Sequence, residues 1–186
     1  VGIFDENVVM NRRALVKRVR ALMDEFRQPV LIERYVEGRE VYVTLLGNAP
    51  PTPLPFHEID FSQLPPGRPR IVGYAAKWDT TSPEYQGTPP VPVGEMPEGW
   101  RASIERSATA AFNALGLRDY GRVDFRVADD GTPFVIDVNP NCDISPDAGV
   151  ARAARAGGME YKQLIGHICR IAWERFHNAG TKARAA

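Results

Sequence analysis

The stretch Gly121-Arg-Val-Asp-Phe-Arg-Val-Ala-Asp-Asp-Gly-Thr-Pro-Phe-Val-Ile-Asp-Val-Asn-Pro-Asn141 constrains this chain more than any other. Two runs of β-forming residues flank Asp130-Gly131, a dipeptide suited to a two-residue hairpin loop because both positions tolerate positive φ. With a symmetric loop, Asp124 faces Asp137, Arg122 faces Asn139 and Arg126 faces Val135. The alternate face pairs Val123 with Val138, Phe125 with Ile136 and Val127 with Phe134. One face is then apolar, and the other sets two aspartates against each other. Cross-strand Cβ atoms lie roughly 4.5–5.5 Å apart, where like charges destabilise. Something should compensate.

Composition excludes several classes. The chain has 186 residues, enough for one domain or one with a small subdomain. Lysine plus arginine equals aspartate plus glutamate at 23 each, so no polyanion-binding field is expected, and nucleic acid is not an expected partner. No apolar run is long enough to cross a bilayer and no secretory signal is recognisable, so no membrane association is expected. Cys142 and Cys169 form no motif and read as free thiols of a reducing, cytoplasmic setting.

Asn11 to Gln28 carries Leu15, Val19, Leu22 and Phe26 at helical spacing behind a plausible Asn11 cap. Val30 to Val36 reads as a strand, Glu37-Gly38 as a turn and Arg39 to Leu46 as a second strand. Phe56 to Phe61 and Arg70 to Trp78 are further strand candidates, and Thr80 to Gly99 reads as a long surface loop. A helix is expected from about Glu98 to Leu115, closed by Gly116. Ser145-Pro146-Asp147 reads as a helix start with proline at its first position, and a last helix spans Glu160 to Asn178. The tail 181–186 is expected to fray. Hairpins and helices without βαβ alternation give an α+β class with a largely antiparallel sheet flanked by helices. Neither a Gly-x4-Gly-Lys-Ser/Thr loop nor a Gly-x-Gly-x-x-Gly turn is present, so any nucleotide is held another way.

Two carboxylates and an amide oxygen on one sheet face suit a hard divalent cation such as Mg2+, which takes one or two carboxylates plus waters and phosphates. The cation would relieve the Asp124–Asp137 repulsion, and the fork of Arg122 would suit a phosphate oxygen. The alternative is a solvated polar face on which Arg122 and Arg126 neutralise the aspartates. His57-Glu58 lacks the second histidine of a zinc-protease helix and reads as part of a surface strand or substrate loop. Cys142 has no histidine nearby in sequence and reads as a packing residue, while Trp78, Trp100 and Trp173 read as core or ligand-wall aromatics.

Gly121-Arg122-Val-Asp124, a turn, and Ile136-Asp137-Val-Asn139-Pro-Asn141 resemble the metal-binding hairpin of the ATP-grasp superfamily, the D-alanine–D-alanine ligase group in particular. Three collinear segments strengthen the resemblance. Val30 to Val41 resembles the strand-turn-strand that holds adenine and ribose, Ala76-Lys77-Trp78 the segment whose lysine meets ATP phosphates, and Ala153 to Tyr161 the helix junction after the metal site.

The resemblance implies an ATP-dependent carboxylate–amine ligase working through an acylphosphate. It implies ATP and two Mg2+ ions as cofactors, Mn2+ being a chemical alternative. Glu33, Arg34 and Val36 would meet adenine, Glu40 the ribose, and Lys77 and Arg122 the phosphates. Asp124, Asp137 and Asn139 would hold the metal, with Asp137 shorter than the family's usual glutamate. Asn141, Cys142, Asp143 and Ser145 would border the substrate. The run Cys142 to Ser145 departs from the family's Pro-Gly-Met-Thr, and Asp143 stands where a glycine donor is usual, so D-alanine is not implied as the substrate. Residues 1–180 are expected to form part of an ATP-grasp domain whose N-terminal portion is missing, which would leave the chain alone with little ligase activity. A homodimer is compatible with the resemblance. Alternatives are a nucleotide-binding regulatory module without turnover and a purely structural polar face.

Overall fold

The computed structural model describes residues 3–48 and 50–184, with side chains through His177, as two compact units. One unit comprises residues 1–37 and 60–89, the other 38–59 and 90–186.

In the first unit, a short 3-10 turn at Asp5–Asn7 precedes helix α1, Arg12–Phe26. The expected cap holds, since Asn11 accepts a hydrogen bond from the Ala14 amide. Arg27 ends the helix in the left-handed region at φ 53°. The expected strand Val30 to Val36 is not one. Leu31 and Ile32 are 81% and 56% exposed, so the apolar run is not laid on a pleated, half-buried surface. The strand expected over Arg70 to Trp78 is replaced by a bend and helix α2, Tyr74–Trp78. There the Tyr74 amide donates to Ile3 O, which leaves its backbone no ladder to join. The presumed loop after Thr80 contains helix α3, Pro83–Gln86, capped by the Ser82 hydroxyl. Arg68 ties this unit together through Asp5 at 2.7 Å and Glu84 at 3.0 Å.

The second unit is built on strands β1, Arg39–Leu46, β2, Thr52–Pro53, β3, His57–Ile59, β4, Pro90–Pro92, β5, Tyr120–Val127, and β6, Pro133–Asn139. Their order is β4-β3-β1-β5-β6, antiparallel at every pairing, with β2 joined to β1. This is the expected α+β class. Prolines in β4 fall on a sheet edge, where a missing donor costs no ladder bond. Helix α4, Glu98–Ala114, buries Ile104, Ala108 and Phe112 against Val41, Val43, Leu45, Val123, Phe125 and Val127. Helices α5, Gly149–Ala156, and α6, Tyr161–Arg184, enclose a second cluster of Leu46, Cys142, Val150, Ala151, Ala154 and Leu164. Trp100 packs on the first core, whereas Trp78 and Trp173 are exposed and are not core residues. Residues 185 and 186 of the expected frayed tail lie outside the described residues; α6 runs through 184.

The helix expected from Ser145 begins instead at Gly149. Ser145 to Ala148 closes as a turn, with the Ala148 amide on Ser145 O, which delays the first helical bond.

The hairpin departs from a symmetric two-residue loop in two compensating ways. Ala128 pairs with Thr132, and Gly131 has φ 84°, so the loop holds three residues and ends in a left-handed glycine. Phe125 then pairs with Val135, Arg126 with Phe134 and Val127 with Pro133. A bulge after Asp124 absorbs the offset, and Asp124 still faces Asp137 and Arg122 still faces Asn139. Ile136, expected on the apolar face, is 44% exposed at the bulge.

A Cβ on Gly38, at φ 132°, would sit 2.0 Å from Val127 O, whereas one on Gly116, at φ 65°, would meet nothing. Gly38→Ala should therefore lose roughly 3 kcal/mol or more in denaturant unfolding. Gly116→Ala should lose only about 1–2 kcal/mol of left-handed strain. Asp119 receives the guanidinium of Arg175 at 2.9 and 2.6 Å and the Asn48 amide at 3.0 Å. The Arg175 bonds chiefly hold its carboxyl below the usual range. A depressed carboxyl stabilises above its unfolded pKa, and that stability is lost as pH falls through the folded value. Asp119→Asn should cost about 1 kcal/mol at pH 7, with the deficit narrowing in unfolding curves as pH falls below the ordinary aspartate value of about 3.9.

Candidate functional site

Period-two alternation along β1 and β5 sorts their side chains. Val41, Val43 and Leu45 face α4, while Glu40, Tyr42 and Thr44 share the other face with Arg126, Asp124 and Arg122, their direct partners on β5. On β3, His57 pairs with Tyr42, and on β6, Asp137 pairs with Asp124. One row across the sheet therefore reads His57, Tyr42, Asp124, Asp137.

The compensation demanded by the facing aspartates is a bidentate ion pair. Arg122 donates from Nε to Asp124 Oδ1 at 2.6 Å and from Nη2 to Oδ2 at 2.7 Å. Its guanidinium also lies 4.8 Å from the Tyr42 ring centroid. Burial works against the Arg122 charge, but the Asp124 fork holds its pKa above the ordinary arginine value. Glu40 is buried, accepts from Tyr42 Oη at 2.7 Å and pairs with Arg126 at 3.4 Å. Desolvation raises the Glu40 pKa, with Tyr42 and Arg126 opposing. Tyr42 itself is shifted upward, by burial first and then by Glu40 and Asp124. On the polar face of β1, β5 and β6 the carboxylates of Glu40, Asp124 and Asp137 stand with the guanidiniums of Arg122 and Arg126, and Arg152 of the following helix approaches Arg122 at Gly149.

Asp137 is exposed on the edge strand, and Asn139 Oδ1 accepts the Asn141 amide at 2.9 Å, which fixes the turn beyond it. Asn141 in turn accepts from Tyr120 Oη at 3.2 Å. Asp143 is exposed, and bonds from Ser145 keep its carboxyl below the usual range. Among the described residues no group of three or more histidine, cysteine, aspartate or glutamate side chains is placed to hold a metal. The oxygen set is two carboxylates and one amide. Arg122 engages both carboxylate oxygens of Asp124, and the exposed carboxylate of Asp137 stands opposite on β6. That set fits Mg2+, which needs few protein ligands, and would not fit a metal that demands a full protein cage.

The remaining expected site residues belong to the first unit. Glu33 and Arg34 are exposed and Val36 is half-buried, on irregular backbone. Lys77 is exposed in the last turn of α2, with Ala76 anchoring the opposite side. The structure thus brings together Glu40, Arg122, Asp124, Asp137 and Asn139 on one face of the second unit, and describes Glu33, Arg34, Val36 and Lys77 within the other.

Sequence reasoning missed Tyr42, which joins Glu40 and Arg122. The alternation of β1 carries the signal, because Glu40, Tyr42 and Thr44 are polar while Val41, Val43 and Leu45 between and after them are apolar. It also placed His57 on a surface strand; His57 is on a strand but buried, and desolvation lowers its pKa. Arg152 went unremarked, for nothing in its helical neighbourhood distinguishes it.

Residues 1–170 match the family model described as "D-ala D-ala ligase C-terminus". An uncharacterized protein, y4sG, of Sinorhizobium fredii is 29% identical over 95% of this chain and 51% of its own length. The D-alanine–D-alanine ligase of Pelotomaculum thermopropionicum is 31% identical over 83% of this chain and 44% of its own. Among solved structures, the D-alanine–D-alanine ligase of Coxiella burnetii superposes with a TM-score of 0.72 at 18% identity, covering 95% of this chain and 43% of that one. The enzyme of Bacillus anthracis complexed with ATP gives 0.68 at 19% identity, over 92% and 50%. The chain spans about half the length of the relatives it matches.

Cys142 is buried beside this face, and burial pushes its thiol up to about 11, whereas Cys169 is exposed. A protonated thiol is a poor nucleophile. Brief iodoacetamide treatment at pH 8 should label Cys169 and spare Cys142 by peptide mass spectrometry, with Cys142 reacting only on unfolding. Equal labelling of both would remove the packing role given to Cys142.

Proposed function

The chain belongs to the D-alanine–D-alanine ligase C-terminus family of the ATP-grasp superfamily, and we propose that it supplies the nucleotide- and metal-binding part of an ATP-dependent carboxylate–amine ligase. The observation that carries this reading is the polar face of β1, β5 and β6, where Asp124 pairs with Asp137 and Arg122, bonded to Asp124, pairs with Asn139.

Asp124, Asp137 and Asn139 would hold Mg2+, one ion or two. When bound, the metal supplies charge neutralisation on phosphate oxygens. Arg122, locked by Asp124 and stacked on Tyr42, presents a guanidinium at fixed orientation to a phosphoryl oxygen, and fixed charge of this kind needs no reorganisation as the reaction proceeds. Lys77 serves as a point charge on the phosphates, and Glu33, Arg34 and Val36 as the adenine-facing segment. Glu40, held by Tyr42 and Arg126, shapes the charge behind Asp124; a ribose contact would have to share its oxygens with those partners. The γ-phosphoryl group passes to a substrate carboxylate with loss of ADP, and the amine then displaces phosphate from the acylphosphate to form the amide. Asp143, ionised and exposed where a glycine is usual, suits a cationic amine substrate.

A structural reading has its own support, because the Arg122 fork already neutralises Asp124, and a charged residue on an edge strand such as β6 also blocks unwanted pairing. Asp137→Ala separates the two. Titration calorimetry with ADP should show Mg2+-dependent binding that the substitution weakens by roughly tenfold or more, the loss of a charged ligand. ADP binding indifferent to Mg2+ and to Asp137, with stability unchanged or slightly raised, would leave the face structural.

A further inference from the structure

Helix α6 carries two faces. One buries Leu164 and packs Tyr161 and Ile168 on the second apolar cluster. The other passes through Gly166, Cys169, Trp173, Phe176 and His177, which share one stripe at roughly 100° per residue. Trp173 is 66% exposed and Phe176 73%. Both lie beyond residue 170, where the match to the family model ends. Neighbouring exposed aromatics of this kind mark a contact surface.

The aromatic end of the stripe is ordered in advance. The His177 ring lies 3.9 Å from that of Trp173 and 5.7 Å from that of Phe176, centroid to centroid, and its Nδ1 lies 2.9 Å from Trp173 O. Rings already held against one another lose little freedom when a partner covers them. Two turns before Trp173, Gly166 has no left-handed φ, and a Cβ there would meet nothing within 4 Å. Glycine weakens a helix, and neither the backbone nor packing within the chain calls for this one. It leaves a gap on the same stripe as the rings.

The flanks decide what fits against the stripe. Arg170 and Glu174 border it on one side, Cys169 and Phe176 on the other. A second α6 can be set antiparallel, with a two-fold axis near Ala172. Arg170 then faces Glu174 of the other copy and Phe176 faces its Cys169, each contact occurring twice. His177 comes over the Gly166 gap, and the two Trp173 rings meet beside the axis. A parallel pair would set Arg170 on Arg170 and gap on gap. Charge, ring and gap are thus matched in one antiparallel register, and the stripe is complementary to itself.

We propose that this stripe of α6 is the surface through which two copies of the chain associate, antiparallel about Ala172, with Trp173 at the centre. The association does not rest on the ligase reading.

Sedimentation velocity of the 186-residue chain over a dilution series should show a reversible monomer–dimer equilibrium. Trp173→Ala should weaken dimerisation by roughly tenfold or more, the loss of a central aromatic anchor. Gly166→Gln, which fills the gap, should weaken it while raising the unfolding midpoint of the monomer. Arg170→Glu should weaken it too, and adding Glu174→Arg should restore it, a rescue that the antiparallel register requires. Cys169, covered by Phe176 of the other copy, should react more slowly with iodoacetamide as protein concentration rises. A monomer at every concentration, or a dimer indifferent to Trp173→Ala and to the charge exchange, overturns the proposal. So does a monomer that sediments with phosphatidylserine vesicles through Trp173, which would give the stripe to a membrane surface instead.

Discussion

The fork between Arg122 and Asp124 is the interaction on which the polar face of the sheet depends. Asp124 is almost wholly buried, and an isolated carboxylate there would neutralise or destabilise the strand. Two short N–H···O bonds offset its burial, and the same bonds hold the arginine in one orientation over Tyr42. Removing either partner strips the other of two charge-assisted bonds, which costs more than the pair contributes. The second pair, Arg126 with Glu40, instead crosses from β5 to β1 through a contact of 3.4 Å.

The opposite face of the same strands explains why this charge is tolerated. Val41, Val43, Val123, Phe125 and Val127 are fully buried against α4, so β1 and β5 cannot shift register without exposing them. The apolar face thus holds the polar face in place. The bulge at Ile136 belongs to the same economy of geometry: it cancels the offset of the three-residue loop, so that the aspartates remain opposite while Ile136 turns outward.

Chemically, the face reads as a gradient. Oxygen donors collect at β6, around Asp137 and Asn139, whereas the positive groups of Arg122 and Arg152 collect over Gly149.

Along β1 and β5 the sequence by itself determined the face on which each residue falls, because alternation is a local property. Asn11 as a cap, Gly38 and Gly116 as left-handed positions, β1 at Arg39–Leu46 and the facing of Asp124 and Asp137 were all legible in that way. Tertiary structure decided whatever depends on what lies opposite. Val30 to Val36 has strand composition but is not laid on a sheet, and Tyr74 to Trp78 turns helical where its first amide meets Ile3 O. The pair of Arg126 with Glu40 and the approach of Arg152 to Arg122 over Gly149 join residues far apart in the chain, and no spacing rule reports such distances. Local propensity sets where a side chain points; only packing sets what it meets there.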